Sequence, residues 1–293
     1  MASYVWFITA ASSGFGKSIA LEALSRGHKV IATARDTSSL TLLQEKGAAV
    51  LSVDVNASEE NLAAKLKEAS EIHGKITHVV NPAGYILAGA VEEASQREVL
   101  NHYATNVFGV ANIARAAAPY LRASAKEGDG PVAYAAFGSL GSYRSGAALA
   151  HYCSSKAAVS LLTEGLAEEW APFGISVCCV EPGYTRTEFL STEAGKERRV
   201  VAKRSLEVYA EGPVAAYKGA LDQFNGKQLG DVEKCARVIV DVLTQEGVGE
   251  GRKIPVRLPL GSDTLAAVKE NAERELAMVR EWESIAKLTD GDN

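Results

Sequence analysis

Tyr152 and Lys156 stand four positions apart in the run Tyr152-Cys153-Ser154-Ser155-Lys156. On a helix this spacing puts phenol and ammonium on one face. A free phenol has a pKa of about 10 and is a poor base near neutral pH. A neighbouring cation favours the phenolate and draws that pKa down. The pair then becomes a proton donor and acceptor for a carbonyl or an alcohol. Taken alone, the same spacing also describes an ordinary surface pair. Ser139, upstream of it, offers a hydroxyl to a substrate oxygen, or is a turn serine beside Ser142. Asn106 sits in Thr105-Asn106-Val107-Phe108-Gly109, within an otherwise apolar helical stretch. A buried asparagine there needs partners. It caps a local irregularity or holds a water against Lys156.

A second cluster suits a phosphate. The run Thr9-Ala10-Ala11-Ser12-Ser13-Gly14-Phe15-Gly16 follows an apolar strand pattern and precedes a helical one. Small residues let the backbone approach a pyrophosphate, and a helix N-terminus favours the anion. The next strand ends at Ala34-Arg35. An acidic group there would hold a ribose 2′-hydroxyl, whereas an arginine suits a 2′-phosphate. Arg35 therefore points to NADP(H) over NAD(H).

These residues need a scaffold, and the pattern supplies one. Strand-like runs at Tyr4–Thr9, Lys29–Ala34, Val50–Val53, Ile76–Val80, Val132–Phe137 and Ile175–Val180 alternate with helical stretches at Gly16–Arg26, Glu59–Ile72, Gln96–Ser124 and Ser154–Trp170. The alternation predicts a parallel sheet covered by helices on both faces. Ligands in such folds sit at the C-terminal strand ends, where Tyr152 and Lys156 follow the fifth strand. After Gly183 the pattern changes. Thr187–Gly226 is polar with no clear strand, and its run Lys196-Glu197-Arg198-Arg199 reads as a solvated face. Asp231–Leu243 is helical, Arg257–Pro259 sits in a short apolar run, and Asp263–Leu288 is a long charged helix. On that helix Leu276, Val279, Trp282 and Ile285 recur every three residues and predict a packing stripe.

Composition narrows the class. The 293 residues are 47% hydrophobic and 23% charged, with a net charge of −5. These fractions are those of a globular chain, not of a disordered or collagen-like one. A mildly acidic chain without a basic block is a poor nucleic-acid binder. No apolar run approaches the roughly 18 residues of a membrane span. The start, MASYVWFITAA, lacks the basic segment of a signal peptide, so a cytoplasmic location is expected. Cys153, Cys178, Cys179 and Cys235 form no CxxC pair, and His28, His73, His78, His102 and His151 show no ligand spacing. Reduced thiols and no metal are expected. Cys178 and Cys179, adjacent on a strand, should point to opposite faces.

Together these residues resemble the short-chain dehydrogenase/reductase family, from about Tyr4 to Thr187. The family's glycine turn is matched by Thr9 to Gly16, its adenine contact by Asp54-Val55, and its NNAG-like motif by Asn81-Pro82-Ala83-Gly84. The catalytic set is matched by Asn106, Ser139, Tyr152 and Lys156, and the PGxxxT motif by Pro182-Gly183-Tyr184-Thr185-Arg186-Thr187. Gly230–Lys234 and Arg257–Asp263 resemble the 17β-hydroxysteroid-dehydrogenase-like branch, a kinship that establishes no steroid substrate.

The resemblance implies an α/β doubly wound Rossmann fold with a C-terminal helical extension. One domain would span 1–293, with a substrate lid at 187–226 and the terminal helix at 263–293. It implies hydride transfer between NADP(H) and a small carbonyl or alcohol substrate. Tyr152 would donate the proton, Lys156 would lower the Tyr152 pKa and bond the ribose, and Ser139 would polarise the carbonyl. Asn106 would order a water that reloads Tyr152. The cofactor would lie along Thr9, Ser12, Ser13, Gly14, Phe15, Gly16, Arg35, Asp54, Val55, Asn81, Ala83, Gly84, Tyr152, Lys156, Pro182, Gly183, Thr185 and Thr187. Tyr184, Phe189, Leu190, Tyr209 and Tyr217 could wall an apolar pocket for a ketone, quinone or aldehyde. A homodimer or homotetramer is implied, with small residues along Ala111–Ala118 and Ala157–Ala167 permitting close helix packing. Two departures stand out. Ala10 replaces the turn's first glycine, and a positive φ there would be strained. Pro82 removes a backbone donor. An isomerase, dehydratase or cyclase on the same scaffold, or a non-catalytic NADPH sensor, stays open.

Overall fold

A computed structural model describes residues 3–192 and 198–291. The strands are β1 Val5–Ile8, β2 Lys29–Ala34, β3 Ala49–Ser52, β4 His78–Asn81, β5 Ile86–Ala88, β6 Val132–Phe137, β7 Ile175–Pro182, β8 Thr185–Arg186, β9 Arg199–Val201, β10 Gly230–Asp231 and β11 Arg257–Leu260. The helices are α1 Gly14–Ser25, α2 Thr41–Glu45, α3 Glu59–His73, α4 Gln96–Tyr103, α5 Gly109–Glu127, α6 Ala150–Trp170, α7 Gly212–Phe224, α8 Val232–Thr244 and α9 Ser262–Ala286. Seven strands form one parallel sheet in the order β3-β2-β1-β4-β6-β7-β11. The order reverses between β1 and β4, which opens a crevice at their C-terminal ends.

The strands are short and apolar because both sheet faces are covered. Phe7, Val79, Tyr134 and Cys179 pack under α3, α5 and α6. Trp6, Ile8, Val80 and Cys178 pack under α1 and α8. The neighbouring cysteines thus point to opposite faces, as the pleat requires. All four are free thiols. No helix among the described residues is long and apolar enough to cross a membrane.

Three expectations need correction. The stretch expected to lack a strand carries β9, which pairs with β5 through Ile86–Arg199, Leu87–Val200 and Ala88–Val201. Alternation is hard to see in so short a pairing. Arg199 is buried and ion-paired with Asp222, not solvated; Lys196 and Glu197 lie outside the described residues. The α9 stripe is not packed among the described residues: Leu276, Val279, Trp282 and Ile285 are each more than half exposed. Spacing reports which side chains share a face, not whether a partner exists.

Candidate active site

The chain leaves β1 through a strained turn. The Thr9 hydroxyl donates to Asn81 Oδ1, which ties the ends of β1 and β4 together at the switch point. Ala10 follows at φ +46°, the left-handed region that costs an alanine free energy. The turn tolerates the methyl but keeps the strain. Gly16 is forced by packing: a Cβ there would sit 2.5 Å from Ala10 O. Ser13 occupies the N-cap of α1 without a side-chain cap bond, so the first N–H groups of α1 remain available to an anion.

Tyr152, Lys156, Ser139 and Asn106 are all at least nine-tenths buried. Ser139 follows the end of β6, and Tyr152 and Lys156 ride the first turns of α6. Lys156 Nζ donates to Phe137 O at 2.7 Å and lies 5.9 Å from the Tyr152 ring centre. Burial pushes Lys156 down to about 8. Burial also pushes the Tyr152 phenol up, and the Ser139 hydroxyl draws it part of the way back. Desolvation is the largest cause at both groups, because burial penalises phenolate and ammonium alike. Ser139 is also the turn serine of the alternative reading, because its Oγ accepts from Gly141 N at 3.0 Å.

Asn106 lies in a π-helical turn, Ala104–Phe108, between α4 and α5. Such turns insert one residue into the helical ladder. Asn106 Oδ1 accepts from Tyr85 N and Nδ2 donates to Tyr85 O, both at 3.0 Å. Ser155 Oγ and His102 Nε2 lie 3.2 and 3.3 Å from the same Nδ2. A Cβ at Gly84 would sit 3.2 Å from Asn106 Oδ1 and 3.3 Å from Lys156 Nζ, so the glycine lets these two polar atoms converge.

Residues outside the expected set hold this arrangement. Asp263 Oδ2 accepts from Tyr184 N at 2.8 Å, and a Cβ at Gly183 would strike Asp263 Oδ1 at 2.0 Å. Asp263 thus anchors the Pro182–Thr187 turn through the glycine's open side. Behind Ser139, the fully buried Glu181 carboxylate is held by Arg257, Tyr143 and Ser160. Ser160 Oγ lies 2.9 Å from Ser142 Oγ, which donates to Lys156 O and accepts from Ser139 N. The signal for Glu181 was a carboxylate inside an apolar strand run.

A cleft of about 380 Å³ joins these parts. From the expected set it is lined by Ser13, Gly14, Phe15, Gly16, Gly84, Ser139, Tyr152, Lys156, Pro182, Gly183, Thr185 and Thr187. Thr9, Ser12, Arg35, Asp54, Val55, Asn81, Ala83 and Asn106 do not line it. Thr9, Asn81 and Asn106 are buried ties between elements. Arg35 and Asp54 are exposed beyond the ends of β2 and β3, outside the cleft. Phe189, Leu190, Tyr184 and Tyr217 line the cleft as expected, but Tyr209 does not: its hydroxyl donates outside to Glu92 Oε1 at 3.1 Å.

The short chain dehydrogenase family profile matches residues 4–198. The chain belongs to the short chain dehydrogenase family. Over 286 residues it is 32% identical to oxidoreductase BOA17 of Botryotinia fuckeliana, covering 96% of this chain and 97% of that protein. It is 37% identical over 194 residues to an NADPH-dependent pterin aldehyde reductase of Arabidopsis thaliana, covering 63% of this chain and 76% of that protein. A short-chain dehydrogenase structure from Streptomyces avermitilis superposes with a TM-score of 0.84 at 34% identity, covering 99% of this chain and all of that one, 100%. Tyr152, Lys156 and the turn that carries Ala10 at positive φ border one continuous cleft.

Proposed function

We propose that this protein is an NADP(H)-dependent carbonyl reductase, acting on a ketone, quinone or aldehyde. One observation carries the reading: Tyr152, Lys156 and Ser139 converge on a cleft that runs from the N-terminus of α1 to an apolar wall of Ile86, Leu149, Leu190 and Leu221. The cradle fits a nicotinamide dinucleotide, since the uncapped N-terminus of α1 is open to an anion and Gly14, Gly16, Gly84 and Gly183 line the cleft. A bound dinucleotide supplies the hydride. Tyr152 gives its proton to the substrate oxygen as negative charge grows there. A phenol raised by burial stays protonated, which suits a donor in the reductive direction. Ser139 Oγ holds the same oxygen, and such preorganised donors are worth most where water is excluded. Lys156 would hold the nicotinamide ribose, and Asn106, which meets it at Gly84, would order a water that reloads Tyr152.

The NADP(H) preference rests on Arg35. It is exposed at the end of β2, while its neighbour Asp36 spends its carboxylate on Ser38 N at 2.9 Å and Ser38 Oγ at 2.8 Å. β2 ends at Ala34 without a carboxylate of its own, and the Arg35 guanidinium beside it is offered to a phosphate. The NADPH dependence named for the Arabidopsis relative supports the same choice. The described residues of the stretch 187–226, which leave out 193–197, act as a lid, supported by Thr187, Phe189, Leu190, Tyr217 and Leu221 in the cleft wall. Exposed Phe108 and Leu161 along the central helices support a homodimer or homotetramer. The kinship to the 17β-hydroxysteroid-dehydrogenase-like branch rests on Gly230–Lys234 and Arg257–Asp263, the latter ending in Asp263, the anchor of the Pro182–Thr187 turn.

Tyr152→Phe tests the reading. NADPH consumption over a panel of ketones, quinones and aldehydes should fall by at least about a thousandfold, with NADPH affinity nearly intact. A variant that keeps most of the rate would sink the mechanism.

A further inference from the structure

Gln228 lies between α7 and β10 and lines the cleft. It is 3% exposed, and neither its Oε1 nor its Nε2 has a hydrogen-bond partner among the described residues. Burying an amide without partners costs free energy, and folded chains rarely accept that cost twice on one side chain. One wall of the same cleft is apolar, built from Leu221, Leu190, Leu149 and Ile86, with Phe189 and Tyr217 against it. The Tyr184 and Tyr217 hydroxyls, also in the cleft lining, already meet each other at 3.1 Å. Position 228 is held in place by the next pairing, where Gly230 N donates to Tyr184 O at 2.9 Å.

The amide presents one acceptor and two donor hydrogens. A bare carbonyl satisfies only the donor side. A hydroxyl accepts and donates at once, so it answers both orphan atoms. We infer that Gln228 is a specificity-determining residue that binds a hydroxyl group on an otherwise apolar carbonyl substrate, remote from the carbonyl that Tyr152 protonates. This rests on the reductase reading and narrows its substrate class to lipophilic hydroxy-carbonyl compounds. A carboxamide carries the same donor and acceptor pair, so the dinucleotide's own carboxamide is the rival source of this chemistry.

The test compares 4-phenylcyclohexanone with its ortho-, meta- and para-hydroxyphenyl analogues. The protein with NADPH bound is assayed by turnover and by calorimetric binding, in wild type, Gln228→Leu and the more isosteric Gln228→Met. At least one hydroxylated probe should be preferred by wild type by about tenfold or more, and that preference should fall to about onefold in both variants. NADPH affinity, measured on the same proteins, should not change. No preference in wild type, a preference that survives in the variants, or no binding of any probe overturns the inference. NADPH affinity that drops about tenfold with the preference retained assigns the amide to the cofactor and overturns it too. Silent turnover with a calorimetric preference that vanishes in the variants sinks the reductase reading and leaves this inference standing.

Discussion

Arg257 grips the Glu181 carboxylate with two nitrogens, Nη2 at 2.6 Å and Nε at 3.1 Å from Oε1, directly behind the turn that carries Ser139. The pair joins β11 to β7 and reaches Ser139 and Lys156 through Ser160 and Ser142. The guanidinium also lies 4.3 Å from the Tyr143 ring centre. A buried pair of this kind adds little over an apolar substitute, but breaking one side of it is costly, because the remaining charge has no water.

Arg257→Met should therefore destabilise the fold by about 3–5 kcal/mol and lower kcat by roughly tenfold. Adding Glu181→Gln should recover most of the stability. Urea unfolding of the single and double variants checks this, and equal loss in both would show that the pair is not the cause.

Arg35→Ala should weaken NADPH binding at least about tenfold more than NADH binding. Fluorescence titration with each dinucleotide measures the ratio. Parallel losses would return the choice of cofactor to an open question.

Ala10→Gly should raise stability by about 1 kcal/mol, because relief of a left-handed alanine exceeds the extra chain entropy of glycine. The change in Tm reads it directly. An unchanged or lowered Tm would mean that the turn holds Ala10 without strain.

Acid should destabilise the protein through His78. Its ring is fully buried and stacked 4.4 Å from Trp6, and burial lowers its pKa from 6.5 to about 4. The native state holds the ring neutral while the unfolded chain binds a proton first. Stability from this group is thus full above pH 6.5 and is lost as pH falls toward about 4, by on the order of 3 kcal/mol. Urea midpoints of wild type and His78→Phe should converge between pH 7 and pH 4. A gap that stays constant across that range would exclude the mechanism.

Much of the site was legible in the chain itself. Alternating apolar runs and helical stretches are local signals, and they placed β2 and β6 at their observed bounds. The Tyr152/Lys156 spacing and the Thr9–Gly16 turn are local too, since a helix face or a tight turn is decided by residues a few positions apart. Burial and partnership are not local. Spacing could not tell that desolvation would dominate at both the Tyr152 phenol and the Lys156 ammonium, because that depends on everything packed around both groups. Nor could it tell that Glu181 would meet Arg257, that Asp263 would fill the open side of Gly183, or that Gln228 would be buried without a partner among the described residues. Each depends on segments far apart in the chain that only the folded sheet brings together. The stripe on α9 shows the same divide: its periodicity is written in the sequence, but its exposure was decided by where the rest of the molecule ends.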